Sequence, residues 1–263
     1  MQRIRQPAVA GMFYNGRADA LRADEQRFIH DAEPGVEHGA PKAIIAPHAG
    51  YIYSGPIAGS AYARVAEHAP AIRRVVLLGP AHRWPFRGLA YADADAFETP
   101  LGKVPVDREA LASIADLRQV QALDAAFDGE HCLEVQLPFL QTLLADFSLV
   151  PLLVGSADDD AVAEVLERLW GGDETLIVIS SDLSHYLGYE AARAIDRRTS
   201  QAICALRADA ISPDQACGRN PIAGLLKQAQ AHGLHAELLD LRSSGDTAGP
   251  RDRVVGYGAY VFH

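Results

Sequence analysis

Three short apolar runs each stop at a polar loop that carries histidine. Ala43-Ile44-Ile45-Ala46 ends at Pro47-His48-Ala49-Gly50-Tyr51, and Val75-Val76-Leu77-Leu78 ends at Gly79-Pro80-Ala81-His82. Leu176-Ile177-Val178-Ile179 ends at Ser180-Ser181-Asp182-Leu183-Ser184-His185. Short aliphatic runs bounded by such turn residues read as buried strands of a parallel sheet. In an open α/β sheet, ligands bind beyond the carboxyl ends of the strands. The pattern therefore constrains the chain to an α/β architecture. It also gathers His48, His82, Asp182 and His185 at one sheet edge, where a metal or acid/base site is assembled from distant parts of a chain.

The chain has 263 residues, enough for one large α/β domain or two small ones. No linker interrupts it, so residues 1–263 read as a single domain. Helices are expected over 17–30, 55–67, 108–115, 133–145, 159–169, 189–206 and 221–231. Residues 31–41 read as a Gly/Pro-rich connecting loop. Between 88 and 107, Leu89-Ala90-Tyr91 and Lys103-Val104-Pro105-Val106 flank Thr99-Pro100-Leu101-Gly102 as an inserted β-hairpin. Further strands are expected over 148–154, 236–241 and 254–262, the last as an antiparallel edge strand. Alternating strands and helices predict a three-layer α/β/α sandwich with a mostly parallel or mixed central sheet.

The net charge of −10, with no basic stripe, argues against a nucleic-acid partner. No apolar run reaches membrane-spanning length, and residues 1–7 lack the apolar core of a signal peptide. Cys132, Cys204 and Cys217 are an odd number in a chain large enough to need no staples, which points to a reducing compartment. A soluble cytoplasmic protein is expected. No GxxxxGK[ST], GxGxxG or GxSxG pattern is present, so nucleotide-binding loops and a serine nucleophile elbow lack support.

Several side chains admit both a chemical and a structural role. His48 and His82, on loops after what read as adjacent strands, either bind one ion together or cap their strands. Cys217 lies just before the last predicted helix. It is either a thiolate favoured by the helix N-terminus, and so a third ligand, or a buried apolar thiol. Asp182 and His185 are either an acid/base pair beside the site or a helix lead-in and a surface residue. His131 opens the helix after Glu130, where it either hydrogen-bonds a substrate oxygen or belongs to an ordinary acidic first turn. Cys204 is assigned to the core. Pro138 should kink its helix or follow a short first turn. Tyr14, Tyr51 and Tyr53 either line a pocket or pack in the core.

Taken together the motifs resemble the Memo family, whose prokaryotic members are called AmmeMemoRadiSam system protein B. They are residues 5–14, Pro47-His48-Ala49-Gly50-Tyr51-Ile52-Tyr53-Ser54-Gly55, Gly79-Pro80-Ala81-His82, Thr99-Pro100-Leu101-Gly102, residues 130–139, residues 180–186, and Ser244-Gly245-Asp246 with Val255-Gly256-Tyr257. The resemblance implies a fold similar to the class III extradiol dioxygenases, the LigB-like non-haem iron enzymes. It also implies His48, His82 and Cys217 as metal ligands, Cys217 standing where the dioxygenases have Glu. Asp182 and His185 match the polar residues beside the metal, with His185 as the acid/base His. The implied cofactor is iron, with copper or zinc as alternatives. The implied activity is a dioxygenase-like, metal-dependent oxidoreductase of unassigned substrate, with His131 in its polar shell. Radical-SAM and AMMECR-type proteins are the implied pathway partners.

Replacing a carboxylate ligand by a thiolate makes iron softer and introduces an oxidisable group. This departure raises a rival expectation: a non-catalytic module that uses the same cleft to bind a peptide or partner protein. A zinc hydrolase ranks behind both, because no Glu accompanies the histidines as in HExxH.

Overall fold

The computed structural model describes residues 2–32 and 39–263. The expected 31–41 loop therefore falls partly outside the described residues. In chain order the elements begin with β1 (Ile4–Arg5), α1 (Ala18–His30), β2 (Ala43–Ala46), α2 (Tyr51–Ala66) and β3 (Arg74–Pro80). Next come β4 (Leu89–Tyr91), β5 (Ala96–Thr99), β6 (Gly102–Pro105), α3 (Arg108–Ile114), β7 (Val120–Ala122), α4 (Leu137–Leu143) and β8 (Ser148–Val154). The chain continues through α5 (Asp159–Arg168), β9 (Thr175–Ser180), β10 (His185–Leu187), α6 (Tyr189–Cys204), α7 (Arg219–Ala231), β11 (Ala236–Ser243) and β12 (Val254–Phe262).

The main sheet runs β10-β12-β2-β9-β3-β8-β4-β7, with β11 also paired to β12. Strands β2, β9, β3 and β8 are parallel, and β12 is antiparallel to β2. Side chains of β2 and β9 are buried throughout, as a strand covered on both faces requires. Helices α1, α2 and α4 pack together on one face, and α3, α5 and α7 on the other. The three-layer α/β/α arrangement with a mixed sheet is thus as expected. Asp107 and Asp158 cap α3 and α5, accepting the N–H of Ala110 at 2.9 Å and of Ala161 at 2.7 Å.

Four local expectations need correction. Helix α2 starts at Tyr51 rather than residue 55. Pro56 sits inside it; the backbone bond it forfeits would go to Ile52, at the exposed end of the helix. The hairpin is β5–β6, with Thr99 paired to Gly102. Leu89–Tyr91 belongs instead to the main sheet, because its buried side chains pair with β8 and β7. Strand β12 is antiparallel but interior, lying between β2 and both β10 and β11. Finally β9 separates β2 from β3, so the His48 and His82 loops come after strands that are not adjacent. The Asp182 loop therefore emerges between them.

Candidate metal centre

The carboxyl ends of β2, β9 and β3 lie side by side, with Ala46 level with Ser180 and Leu78 level with Ile179. The loops that leave them carry His48, Asp182 and His82. A fourth segment, Glu130-His131-Cys132, crosses in front before a 3₁₀ turn over Glu134–Gln136 and α4. Pro138 falls in the first turn of α4, where its missing N–H costs little.

One ring nitrogen from each of His48, His82 and His131 lies within 4.8 Å of the others. The rings of His82 and His131 stack at 5.1 Å, and Phe13 packs on His131 at 4.8 Å. Hydrogen bonds decide which nitrogen each ring offers. The Glu130 carboxylate accepts from His82 Nδ1 at 3.0 Å, and from the backbone N–H of His82, His131 and Cys132. An ionised carboxylate only accepts, so His82 carries its proton on Nδ1 and leaves the Nε2 lone pair free. His185 Nδ1 lies 2.8 Å from the Leu183 carbonyl, which fixes the same tautomer there. Ser180 Oγ stands 2.6 Å from the Cys132 carbonyl, so its single proton goes to that oxygen. It can only accept from His48 Nδ1 at 2.9 Å, and His48 too presents Nε2.

Electrostatics keep the His48 and His131 rings neutral. Burial, then the proximity of His82 and His131, pushes His48 well below its ordinary value. Burial likewise lowers His131. Burial alone would raise Glu130, but the hydrogen bonds from His82 and the backbone outweigh it and hold the carboxyl at about 2. Burial raises Asp182, although its Oδ1 accepts the His48 backbone N–H at 2.8 Å.

Cys217 borders the same space. Its Sγ is 3.4 Å from His48 Nε2 and accepts the Asp182 N–H at 3.3 Å. Nitrogen and sulfur ligands of one tetrahedral ion, at about 2.0 and 2.3 Å, stand about 3.5 Å apart, so the separation fits an ion shared by His48 and Cys217; the ligand atoms that all lie within 4.8 Å of one another are those of His48, His82 and His131, and Cys217 is not among them. Of the two readings of Cys217, the surroundings favour the protonated, buried thiol. Burial and the Asp182 carboxylate push Cys217 up to about 12. Hydrogen bonds from the Asp182 N–H, the Ser181 hydroxyl and the Gly218 N–H pull the other way and are outweighed. A bound cation would reverse this balance, since a coordinating thiol gives up its proton. The donor set of neutral imidazoles and one thiol suits iron, copper or zinc rather than a hard oxygen-seeking ion.

A second grouping, His82, Glu130 and Cys132, is also close enough to share an ion. Its atoms are already committed: Glu130 accepts N–H groups, and the buried Cys132 thiol donates to Pro80 O at 3.1 Å.

A family description, "Memo-like protein", matches residues 5–261. The chain belongs to the Memo family. A MEMO1 family protein of Archaeoglobus fulgidus is 36% identical, across 98% of this chain and 99% of its own. MEMO1 family protein PAE0818 of Pyrobaculum aerophilum is 32% identical, across 99% of each. Among solved structures, an uncharacterised protein of Escherichia coli K12 superposes with a TM-score of 0.52 at 12% identity, covering 82% of this chain and 98% of its own. That likeness concerns the fold alone.

Sequence reasoning on this Memo chain missed the residues that hold the site in place. Glu130 and Gln136 stand in the Memo motif, but an acidic first turn and a helical Gln carry no signal of what they touch. Glu134 is buried and accepts from Ala8 N at 2.7 Å, Val9 N at 2.9 Å, Tyr14 Oη at 2.7 Å and Arg5 Nη1 at 3.0 Å. Arg5 also donates to the Glu130 carbonyl. Together they pin the N-terminal segment, and with it Phe13, against His131. Asp182 caps no helix; Gly188 occupies that position for α6. His185 is half-buried, and Tyr14 and Tyr51 are in the core, whereas Tyr53 is partly exposed. Cys204, partly buried, closes α6 against the core.

Proposed function

We propose that the protein is a metal-dependent oxidoreductase with a dioxygenase-like cleft, acting on a small molecule. Iron is the metal of choice, with copper or zinc as alternatives. His48 and His82 hold it with Cys217, and His131 faces the same space. One observation carries this reading: separate hydrogen bonds occupy Nδ1 of His48 and of His82, the two rings gather with His131 within reach of one ion, and the Cys217 thiol stands beside His48 Nε2. When bound, the metal supplies Lewis acidity and, for iron or copper, a redox couple.

The chain's own residues supply the rest. His185, with its proton on Nδ1, has a basic Nε2 to take a proton from substrate. Asp182, raised by burial, is suited to return one. Glu130 stays ionised and balances positive charge gathered at His82. Three free cysteines fit a reducing, cytoplasmic setting.

The test is metal content after purification without oxygen, for wild type, His48→Ala and Cys217→Ser. Near-stoichiometric iron or copper in wild type, lost in both variants, supports the assignment and justifies a substrate screen under O₂. Equal metal in wild type and His48→Ala refutes it.

A second reading rests on the rim of the cleft. Met12, Ile52, Tyr53, Trp84 and Tyr186 are exposed, and each stands within five residues of Phe13, His48, His82 or His185. Exposed apolar side chains mark an interaction surface where they form one patch. A binding module would use that rim to hold a peptide or a protein such as a radical-SAM or AMMECR-type partner. Binding unchanged by Cys217→Ser and by chelation favours this reading; turnover that requires Cys217 counts against it.

A further inference from the structure

Gln136 is completely buried, as are its neighbours Tyr62 and Ser180. A buried amide costs free energy unless every donor and acceptor is satisfied. Here each is. Nε2 donates to Ser180 Oγ at 2.8 Å and to the Pro47 carbonyl at 3.0 Å, and Oε1 accepts from Tyr62 Oη at 2.8 Å. The amide can sit only one way round. Flipped, its oxygen would face the Pro47 carbonyl and a serine hydroxyl whose proton is already spent on Cys132 O. The Ser180 hydroxyl is then fully used. Its proton is on Cys132 O, one lone pair accepts from Gln136, and the remaining lone pair faces His48 Nδ1 at 2.9 Å.

We propose that Gln136, acting through Ser180, is a positioning residue that holds His48 in the Nδ1–H tautomer and so directs Nε2 into the site. The same amide grips the Pro47 carbonyl, the chain neighbour of His48, so it sets both the ring's protonation and the loop's position. The chain Tyr62–Gln136–Ser180–His48 runs from α2 through the 3₁₀ turn and the end of β9 to the His48 loop. It ties the site to the helix layer behind it. An apolar residue at 136 would fill the space without specifying either feature. The consequence for metal binding rests on the proposed function; the tautomer does not.

The experiment is nitrogen-15 NMR of the histidine rings in the full chain, beside titration with Co(II) as the metal probe. Wild type is expected to show His48 as a single Nδ1–H tautomer. Ser180→Ala should give a tautomer mixture, Ser180→Thr should restore the single form, and Gln136→Met should shift the balance in the same direction as Ser180→Ala. Co(II) affinity should fall about 10–100-fold in Ser180→Ala, the usual loss when the partner of a ligating histidine is removed. An Nε2–H tautomer in wild type overturns the proposal without need of any variant. An unchanged single Nδ1–H tautomer in either folded Ser180→Ala or folded Gln136→Met overturns it as well. If the tautomers behave as expected but wild type binds no Co(II), the positioning role stands and the metal reading fails.

Discussion

Glu25 should make the stability of this protein fall as pH rises. It lies fully buried on α1, with its carboxyl near the Tyr51 and Thr142 hydroxyls. Burial outweighs those hydrogen bonds and pushes the carboxyl from 4.5 up to about 8. A carboxyl that binds its proton more tightly when folded contributes fully below about pH 4.5, and its contribution is lost as pH rises through about 8. A gap of about 3.5 pH units at about 1.4 kcal/mol each gives a loss of about 5 kcal/mol across that window, most of it by pH 7. Glu25→Gln keeps the shape and the hydroxyl partners but never ionises. It should match wild type to within about 1 kcal/mol at pH 5 and exceed it by about 2–4 kcal/mol at pH 8.5. The Tyr51 hydroxyl also donates to the Val135 carbonyl at 2.8 Å, so ionisation of Glu25 should loosen the contact between α2 and the 3₁₀ turn that carries Gln136. Urea denaturation of both proteins from pH 5 to 9 measures the effect. Parallel stability curves would refute the reasoning, because they would mean that Glu25 ionises without penalty in the fold.

Other perturbations have equally definite outcomes. Glu134→Ala leaves Arg5 buried without its carboxylate and should cost about 3–5 kcal/mol, with faster amide hydrogen exchange at Ala8 and Val9. Gly88→Ala sets a side chain at φ +83°, with its Cβ 2.1 Å from the Gln119 carbonyl. It should lose about 2–4 kcal/mol by thermal denaturation. Trp84→Ser and Tyr186→Ser, at exposed positions, should change stability by less than about 1 kcal/mol. If the rim takes a partner, they should weaken its capture without altering metal content.

The strands and their polar loops were legible because the information is local. Ala43–Ala46, Arg74–Pro80 and Thr175–Ser180 announce themselves by apolar runs that no helix of the chain needs, and each polar loop is the direct continuation of its strand. So were the helices, apart from the start of α2, which begins four residues before the expected position and holds Pro56 in its first turns. The hairpin was legible in its turn but misplaced in one arm, since Leu89–Tyr91 and Ala96–Thr99 are both short and apolar, and only pairing with β8 tells them apart.

What only the tertiary structure decided concerns contacts between residues far apart in the chain. The slot between β2 and β3 is filled by a strand that comes about a hundred residues later. From its place before a helix Cys217 reads either as an activated thiol or as a buried one, and burial beside Asp182 favours the protonated form. Glu130, Gln136 and Ser180 look like ordinary polar residues until the fold brings Glu130 to His82, and Gln136 through Ser180 to His48. Sequence alone located the histidines, because a strand and its loop are one continuous stretch. The fold chose which nitrogen each offers, because a proton's position depends on partners that only folding brings within hydrogen-bonding distance.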